Sequence, residues 1–225
     1  MFTKTGKEEN YTNWWIDRQK VCRDETIVIE NIPLFVAQGV FSPKIENTNS
    51  VGLLLRTFPD VRGKRVLEIG TGTGVLAIQA ARSGAKEVIA TDIIPVAIEN
   101  AAKNFKSTNT DKVISLINED RFENLSGRFD IIIMNIIFAS SPQDMAAKEK
   151  IKVESLSLHK RLIAALPRIL SQNGKVVLGF ASFGDIDTLD TILRNPTLKV
   201  AVVSENKFDV NWYKIDVELK LADNK

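Results

Sequence analysis

The chain holds one cysteine, Cys22, and one histidine, His159, in 225 residues. A lone thiol excludes an internal disulfide, which is the habit of a reducing compartment and leads us to expect a cytoplasmic protein. No group of His, Cys, Asp and Glu has metal-ligand spacing, so no metal site is expected. No G-x-S-x-G nucleophile motif is present. Charge of neither sign is in excess: 30 basic against 28 acidic side chains leave a net +2. That balance gives no electrostatic case for a nucleic-acid partner. Long apolar runs are also missing. The longest, Ile131–Ala139, is interrupted by Asn135 and is too short to cross a bilayer, so no membrane role is expected. The N-terminus carries Lys4, Lys7, Glu8 and Glu9 and no apolar signal core. There is no internal repeat, low-complexity tract or interdomain linker. The 44% hydrophobic content nevertheless supports one sizeable core.

What is present is organised around Arg65–Gly74, RVLEIGTGTG. Val66, Leu67 and Ile69 read as a buried strand. Gly70, Gly72 and Gly74 follow at alternate positions. Val75–Arg82 (VLAIQAAR) then has helical apolar spacing, and Gly84 stops it. A strand thus passes through a glycine turn into a helix whose free N–H groups and partial positive charge face any ligand at the turn. A second strand, Glu87–Thr91, ends in Asp92, about 20 residues beyond the glycines, the place of a ribose-holding acid in nucleotide sites. The dinucleotide fingerprint G-x-G-x-x-G needs its third glycine where Val75 stands.

Strands and helices alternate after this point, as in a parallel sheet with helices on both faces. The strands are Arg65–Ile69, Glu87–Thr91, Val113–Asn118, Phe129–Asn135 and Lys175–Phe180. The helices cover Pro95–Phe105, about Lys148 to Leu170 with a bend near Pro167, and Ile186–Leu193. Leu198–Ser204 and Trp212–Leu219 have no helix between them and should pair antiparallel. Ahead of the glycine turn, residues 1–60 read as a helix over Tyr11–Arg23, a strand over Thr26–Glu30 broken by Pro33, a short return strand at Leu34–Val36, the loop GVFSP and a helix over Val51–Phe58. These are too few elements for a core of their own. We expect residues 1–60 to cover the site and residues 61–225 to form the main domain.

EIGTGTG followed by an acid closing the next strand resembles the first two motifs of the class I S-adenosylmethionine-dependent methyltransferases. The parallel sheet finished by an antiparallel hairpin is similar to the seven-stranded α/β, Rossmann-like arrangement of that class. The resemblance implies S-adenosyl-L-methionine as cofactor, held by Gly70, Thr71, Gly72 and Gly74. In the class, the acid matching Glu68 orients the methionine amino group; the same carboxylate can instead simply brace the turn. Asp92 can take both ribose hydroxyls, a natural bidentate pair, or cap the helix from Pro95. Ile93 would pack on the adenine, and Asp120 would accept from its exocyclic amine unless it is a solvated loop acid. Arg121 either lies over the ring or is a surface arginine.

Asn135 closes an all-apolar strand, where an unsatisfied amide costs about 1–3 kcal/mol. It is either a structural asparagine or the group that accepts an N–H from the methyl acceptor and aligns the nitrogen lone pair. Phe138 either stacks on the acceptor or caps the core. Phe41 either closes over the cofactor or packs. His159, mid-helix, reads as a surface or boundary residue rather than a catalytic base.

Two narrower resemblances involve fragments only. DRFENLSGRFDIIIMN, GVFSP and the helix Leu158–Leu170 are similar to the release-factor glutamine methyltransferase family, whose fourth motif is Asn-Pro-Pro-Tyr; Asn135-Ile136-Ile137-Phe138 lacks both prolines. GTGTGVLAIQA and Asn135-Ile136-Ile137 are similar to the ribosomal-protein lysine methyltransferase family. Residues 1–60 resemble the larger N-terminal substrate domains of neither. The expected activity is methyl transfer to a nitrogen of a protein side chain or of a planar small molecule. The alternatives are a cofactor-binding subunit that works through a partner complex, and a nicotinamide-dependent oxidoreductase.

Overall fold

The computed structural model describes residues 23–44, 50–118, 122–136, 145–182, 186–207 and 210–220. Two strands come first, β1 (Glu25–Ile29) and β2 (Ile32–Val36), paired antiparallel. Helix α1 (Ser50–Arg56) leads to β3 (Arg65–Ile69), α2 (Val75–Arg82), β4 (Glu87–Thr91), α3 (Pro95–Ser107), β5 (Ile114–Ile117) and β6 (Phe129–Met134). Helix α4 (Met145–Ile169), β7 (Leu170–Ala181), α5 (Ile186–Leu193), β8 (Leu198–Lys207) and β9 (Val210–Leu219) complete the order.

Strands β3 to β9 form one seven-stranded sheet in the order β5-β4-β3-β6-β7-β9-β8. The first five run parallel, while β9 lies antiparallel to both β7 and β8. Central strands are apolar on both sides because helices cover both faces. Val66, Val88, Ile131, Ile133 and Val177 join α1, α2 and α3 in one core, while Leu67, Ile89, Ile132, Met134 and Leu178 join α4 and α5 in the other. The expected α/β class, parallel run and antiparallel finish are all seen.

Several boundaries differ from expectation. The break between the first two strands is not at Pro33. It falls at Glu30 and Asn31, both at positive φ (46° and 63°), the mark of a two-residue type I′ hairpin turn. Pro33 sits within β2, facing Val28; the hairpin has only two strands, so a residue without an N–H is tolerated there. Strand β7 begins at Leu170, immediately after α4 and earlier than the Lys175 read from sequence. Its register jumps from Phe129↔Leu170 to Ile131↔Lys175, so residues 171–174 bulge out, with Asn173 at φ 63°. Pro167 falls in the last turn of α4. The helix expected over Tyr11–Arg23 lies outside the described residues except for Arg23.

The β1–β2 hairpin shares a core with α2 and α3. Ile27, Ile32, Leu34 and Val36 are all at most 3% exposed and belong to the same cluster as Ala77, Ala101 and Phe105. Arg82 donates to the carbonyl of Asn31 (3.2 Å), and the Lys103 ammonium lies 3.1 Å from the centroid of the Phe35 ring.

Candidate functional site

The carboxyl ends of β3, β4 and β6 converge on the glycine turn between β3 and α2. In an open parallel sheet this is where ligands bind. Gly70, Gly72 and Gly74 all have positive φ (73°, 53° and 82°). At Gly72 nothing lies within 4 Å of where a Cβ would sit, so the bare backbone faces open space. Above Gly70 the neighbour is Ile136, whose terminal atoms lie 2.7 Å from a hypothetical Cβ. The end of β6 therefore reaches back over the turn.

The turn is pinned at each step. The Gly70 and Thr71 amides both donate to the Thr91 carbonyl (2.9 Å each). The Gly72 amide donates to Asp92 Oδ2 (2.9 Å). Glu68 Oε2 accepts from the Thr71 hydroxyl (2.5 Å) and from the Ala77 amide in the first turn of α2 (3.1 Å). Glu68 is 2% exposed. Burial pushes its carboxyl up to about 8, opposed by those two hydrogen bonds and helped by the nearby Asp92 charge. Glu68 thus braces the turn from beneath.

Asp92 is 8% exposed, and its Oδ1 accepts from the Ile94 amide (3.0 Å). It does not cap α3: Ile94 holds the N-cap position and no side chain bonds there. Ile93 beside it is an exposed apolar side chain, 62% accessible. Asn118 donates to the Asp92 carbonyl (2.9 Å), fastening β5 to the same tip.

Asn135 stands one residue beyond β6. Its Oδ1 is buried with no hydrogen-bond partner among the described residues, and it occupies the space that a Cβ on Gly179 of β7 would fill. Phe41 is half-buried in the loop after β2, next to buried Ser42 and Pro43. Asp120, Arg121 and Phe138 lie outside the described residues. His159 is not a surface or boundary residue: it is 2% exposed and stacks edge-on against Phe180 at 5.7 Å. Its position belongs to the buried face of α4, beside Leu162 and Leu166. Among the described residues no cluster of His, Cys, Asp and Glu can hold a metal, and no helix is long and apolar enough to cross a membrane.

Sequence reading passed over two buried residues of α3, one of which reaches the turn. Asn100 and Asn104 are 2% and 0% exposed on the inward side of α3. Asn104 Nδ2 donates to the Thr73 carbonyl inside the glycine turn (2.9 Å). Their signal was available: two amides, four residues apart, on a helix face otherwise carrying Ala97, Ala101 and Phe105.

These residues fit an adenosyl ligand. The space over Gly72 is open, a carboxylate closes the neighbouring strand, and an exposed apolar side chain adjoins it. They do not fit a dinucleotide fingerprint, because Val75 is buried in the core as the first residue of α2. A profile of the family described as ribosomal protein L11 methyltransferase (PrmA) matches residues 49–151. The chain belongs to the class I S-adenosylmethionine-dependent methyltransferases, and it is an enzyme of that class.

Within the class it is 32% identical over 173 residues to a putative protein N5-glutamine methyltransferase of Methanocaldococcus jannaschii, covering 74% of this chain and 85% of that relative. It is 33% identical over 147 residues to a ribosomal protein L11 methyltransferase of Bacillus cereus, covering 64% of this chain and only 44% of that longer protein. The crystal structure of a ribosomal protein L11 methylase from Lactobacillus delbrueckii subsp. bulgaricus shares the fold: TM-score 0.61 and 22% identity, over 83% of this chain and 84% of that one. The two families named by these relatives are the two whose motifs the sequence resembles.

Proposed function

We propose that this methyltransferase places a methyl group on a side-chain nitrogen of a protein, with Asn135 holding the acceptor. One observation carries this reading. Asn135 Oδ1 is a buried acceptor with no partner among the described residues, and its neighbour Ile136 lies over Gly70 of the turn. A buried carbonyl oxygen left in this state is costly unless a ligand N–H completes it. The names of the relatives, one for a glutamine nitrogen and the others for a ribosomal protein, point to the same acceptor class.

When bound, S-adenosylmethionine would supply an electrophilic methyl group for transfer to the acceptor nitrogen. Asn135 accepts one N–H and so aims the lone pair; positioning is its contribution. Asp92 takes the ribose hydroxyls with the lone pairs that Gly72 and Ile94 leave unused. Glu68 holds the turn, and through it the methionine amino group. The family resemblance would give Ile93, Asp120 and Arg121 roles toward the adenine, and Phe138 and Phe41 roles toward the acceptor. Residues 1–60 act as a cover on the domain formed by residues 61–225, and the protein works in the reducing cytoplasm.

The test is Asn135→Ala in a labelled-methyl assay with fractionated lysate as acceptor pool. Turnover should fall at least about tenfold, roughly one charge-free hydrogen bond in the transition state, while S-adenosylmethionine affinity by titration calorimetry stays unchanged. Wild-type turnover in the variant overturns the role of Asn135. Label entering RNA fractions and not protein overturns the acceptor class.

A further inference from the structure

We infer that Asn104 is a positioning residue for the cofactor turn, and that through it the β1–β2 hairpin sets how tightly the turn binds its ligand. The inference rests on the glycine turn being the S-adenosylmethionine seat. It begins from an accounting of backbone groups. Strand β2 has one strand partner, β1, so its outer edge presents free N–H and C=O groups. Where this edge packs against α3 these must be met. Among the described residues no third strand meets them.

Two side chains of α3 do so instead. Asn104 Oδ1 accepts from the Phe35 amide (2.8 Å), and its Nδ2 donates back to the Phe35 carbonyl (2.8 Å). The side-chain amide stands in for a ladder residue. One helical turn earlier, Asn100 Oδ1 accepts from the Ala37 amide (2.6 Å), and its Nδ2 also donates to the Phe35 carbonyl (3.1 Å). At i and i+4 the two amides share one face of the helix.

The two asparagines differ in one respect. The Asn100 side chain hydrogen-bonds the hairpin and not the turn. Asn104 has a second hydrogen on Nδ2, and it goes to the Thr73 carbonyl, between Gly72 and Gly74 (2.9 Å). Asn104 is fully buried, and the bonds to Phe35 and Thr73 use its acceptor and both donors. Its amide plane is consequently held by the hairpin, and its remaining hydrogen holds the turn. Thr73 is buried (4% exposed) and the Ala77 amide goes to Glu68, so the Asn104 hydrogen is the side-chain bond that fixes how the Thr73 peptide carbonyl points. A turn free to rotate that peptide must be ordered again when ligand binds, which lowers affinity. Linkage makes the effect reciprocal: ligand on the turn must also steady the hairpin.

Asn104→Ala, Asn104→Asp and Asn100→Ala separate the turn contact from the hairpin contact. Kd for S-adenosylmethionine should weaken about tenfold in Asn104→Ala, the usual scale of one lost buried hydrogen bond. Asn100→Ala should change it less than about twofold, although both lose stability at the hairpin. Asn104→Asp keeps the acceptor for Phe35 but sets a carboxylate against the Thr73 carbonyl, so its affinity should be lower still. KM for the cofactor should rise while kcat at saturation holds, which general loosening of the fold does not produce. In the wild-type protein, hydrogen exchange gives a test free of folding failure. Saturating S-adenosylhomocysteine should slow exchange at Phe35 and Ala37 by a larger factor than at β8 and β9.

Equal affinity in the wild type and Asn104→Ala, or a loss equally large in Asn100→Ala, overturns the inference and leaves the seat standing. Uniform protection across hairpin and β9 overturns the coupling. A wild-type protein that binds no cofactor removes the seat itself.

Discussion

Glu68 is the residue whose chemistry departs furthest from its free state. Burial pushes its carboxyl up to about 8, from the 4.5 of a free glutamate. Between those values the folded protein keeps a proton that the unfolded chain has released. Stability contributed here is therefore fully present below about pH 4.5 and is lost as pH rises through the window to about 8. Glu68→Gln, which cannot ionise, should become progressively more stable than the wild type across that window and level off above it. Melting temperatures at half-unit pH steps read this directly; a constant difference between the two proteins at all pH values shows that folding leaves the Glu68 titration unshifted. Asp92→Ala should weaken cofactor binding by at least about a hundredfold, since it removes both a bidentate acceptor and the anchor of the Gly72 amide. Calorimetric titration checks it. At this scale the sequence was partly readable. An acid before the glycines and an acid after β4 stand out because carboxylates in buried strands need a reason. Asn100 and Asn104 were passed over because their i, i+4 spacing marks a shared helix face but does not say which distant backbone groups the amides will satisfy. His159 was placed at the surface for the opposite reason: a lone polar residue in a mixed helix tells nothing of which face tertiary packing will cover.

Among elements, the β1–β2 hairpin carries the clearest prediction. Leu34 is 1% exposed and belongs to the same core as α2 and α3. Leu34→Ala should cost about 2–5 kcal/mol, and urea unfolding should remain a single transition because the hairpin has no core apart from the domain. Two separated transitions would make residues 23–44 an independent unit. Strands β3 and β4 and helix α2 were legible to the residue, because glycines and charged ends bracket short apolar runs whose period is unambiguous. The hairpin turn was not. Pro33 is the stronger breaker in isolation, but the edge of a two-stranded ribbon tolerates it, and the bend went to the Glu30–Asn31 pair that can hold positive φ. The early start of β7 was hidden likewise, since Asn173-Gly174 signals a turn and the chain uses it as a bulge inside a strand.

For the molecule as a whole, the fold and the cofactor class were legible together, because one short turn defines both. S-adenosylmethionine at a hundred times its Kd should stabilise the protein by about 2.7 kcal/mol, and a nicotinamide dinucleotide should give no shift. Thermal scans with each compound decide it. One further consequence lies in the order of the last strands. Strand β9 sits between β7 and β8, with six register pairs to one and ten to the other. No pairing joins β8 to the sheet except through β9. Strand β8 therefore has no partner without Val210–Leu219, and a chain cut after residue 208 would leave both β8 and the flank of β7 as open edges, ready for non-native pairing.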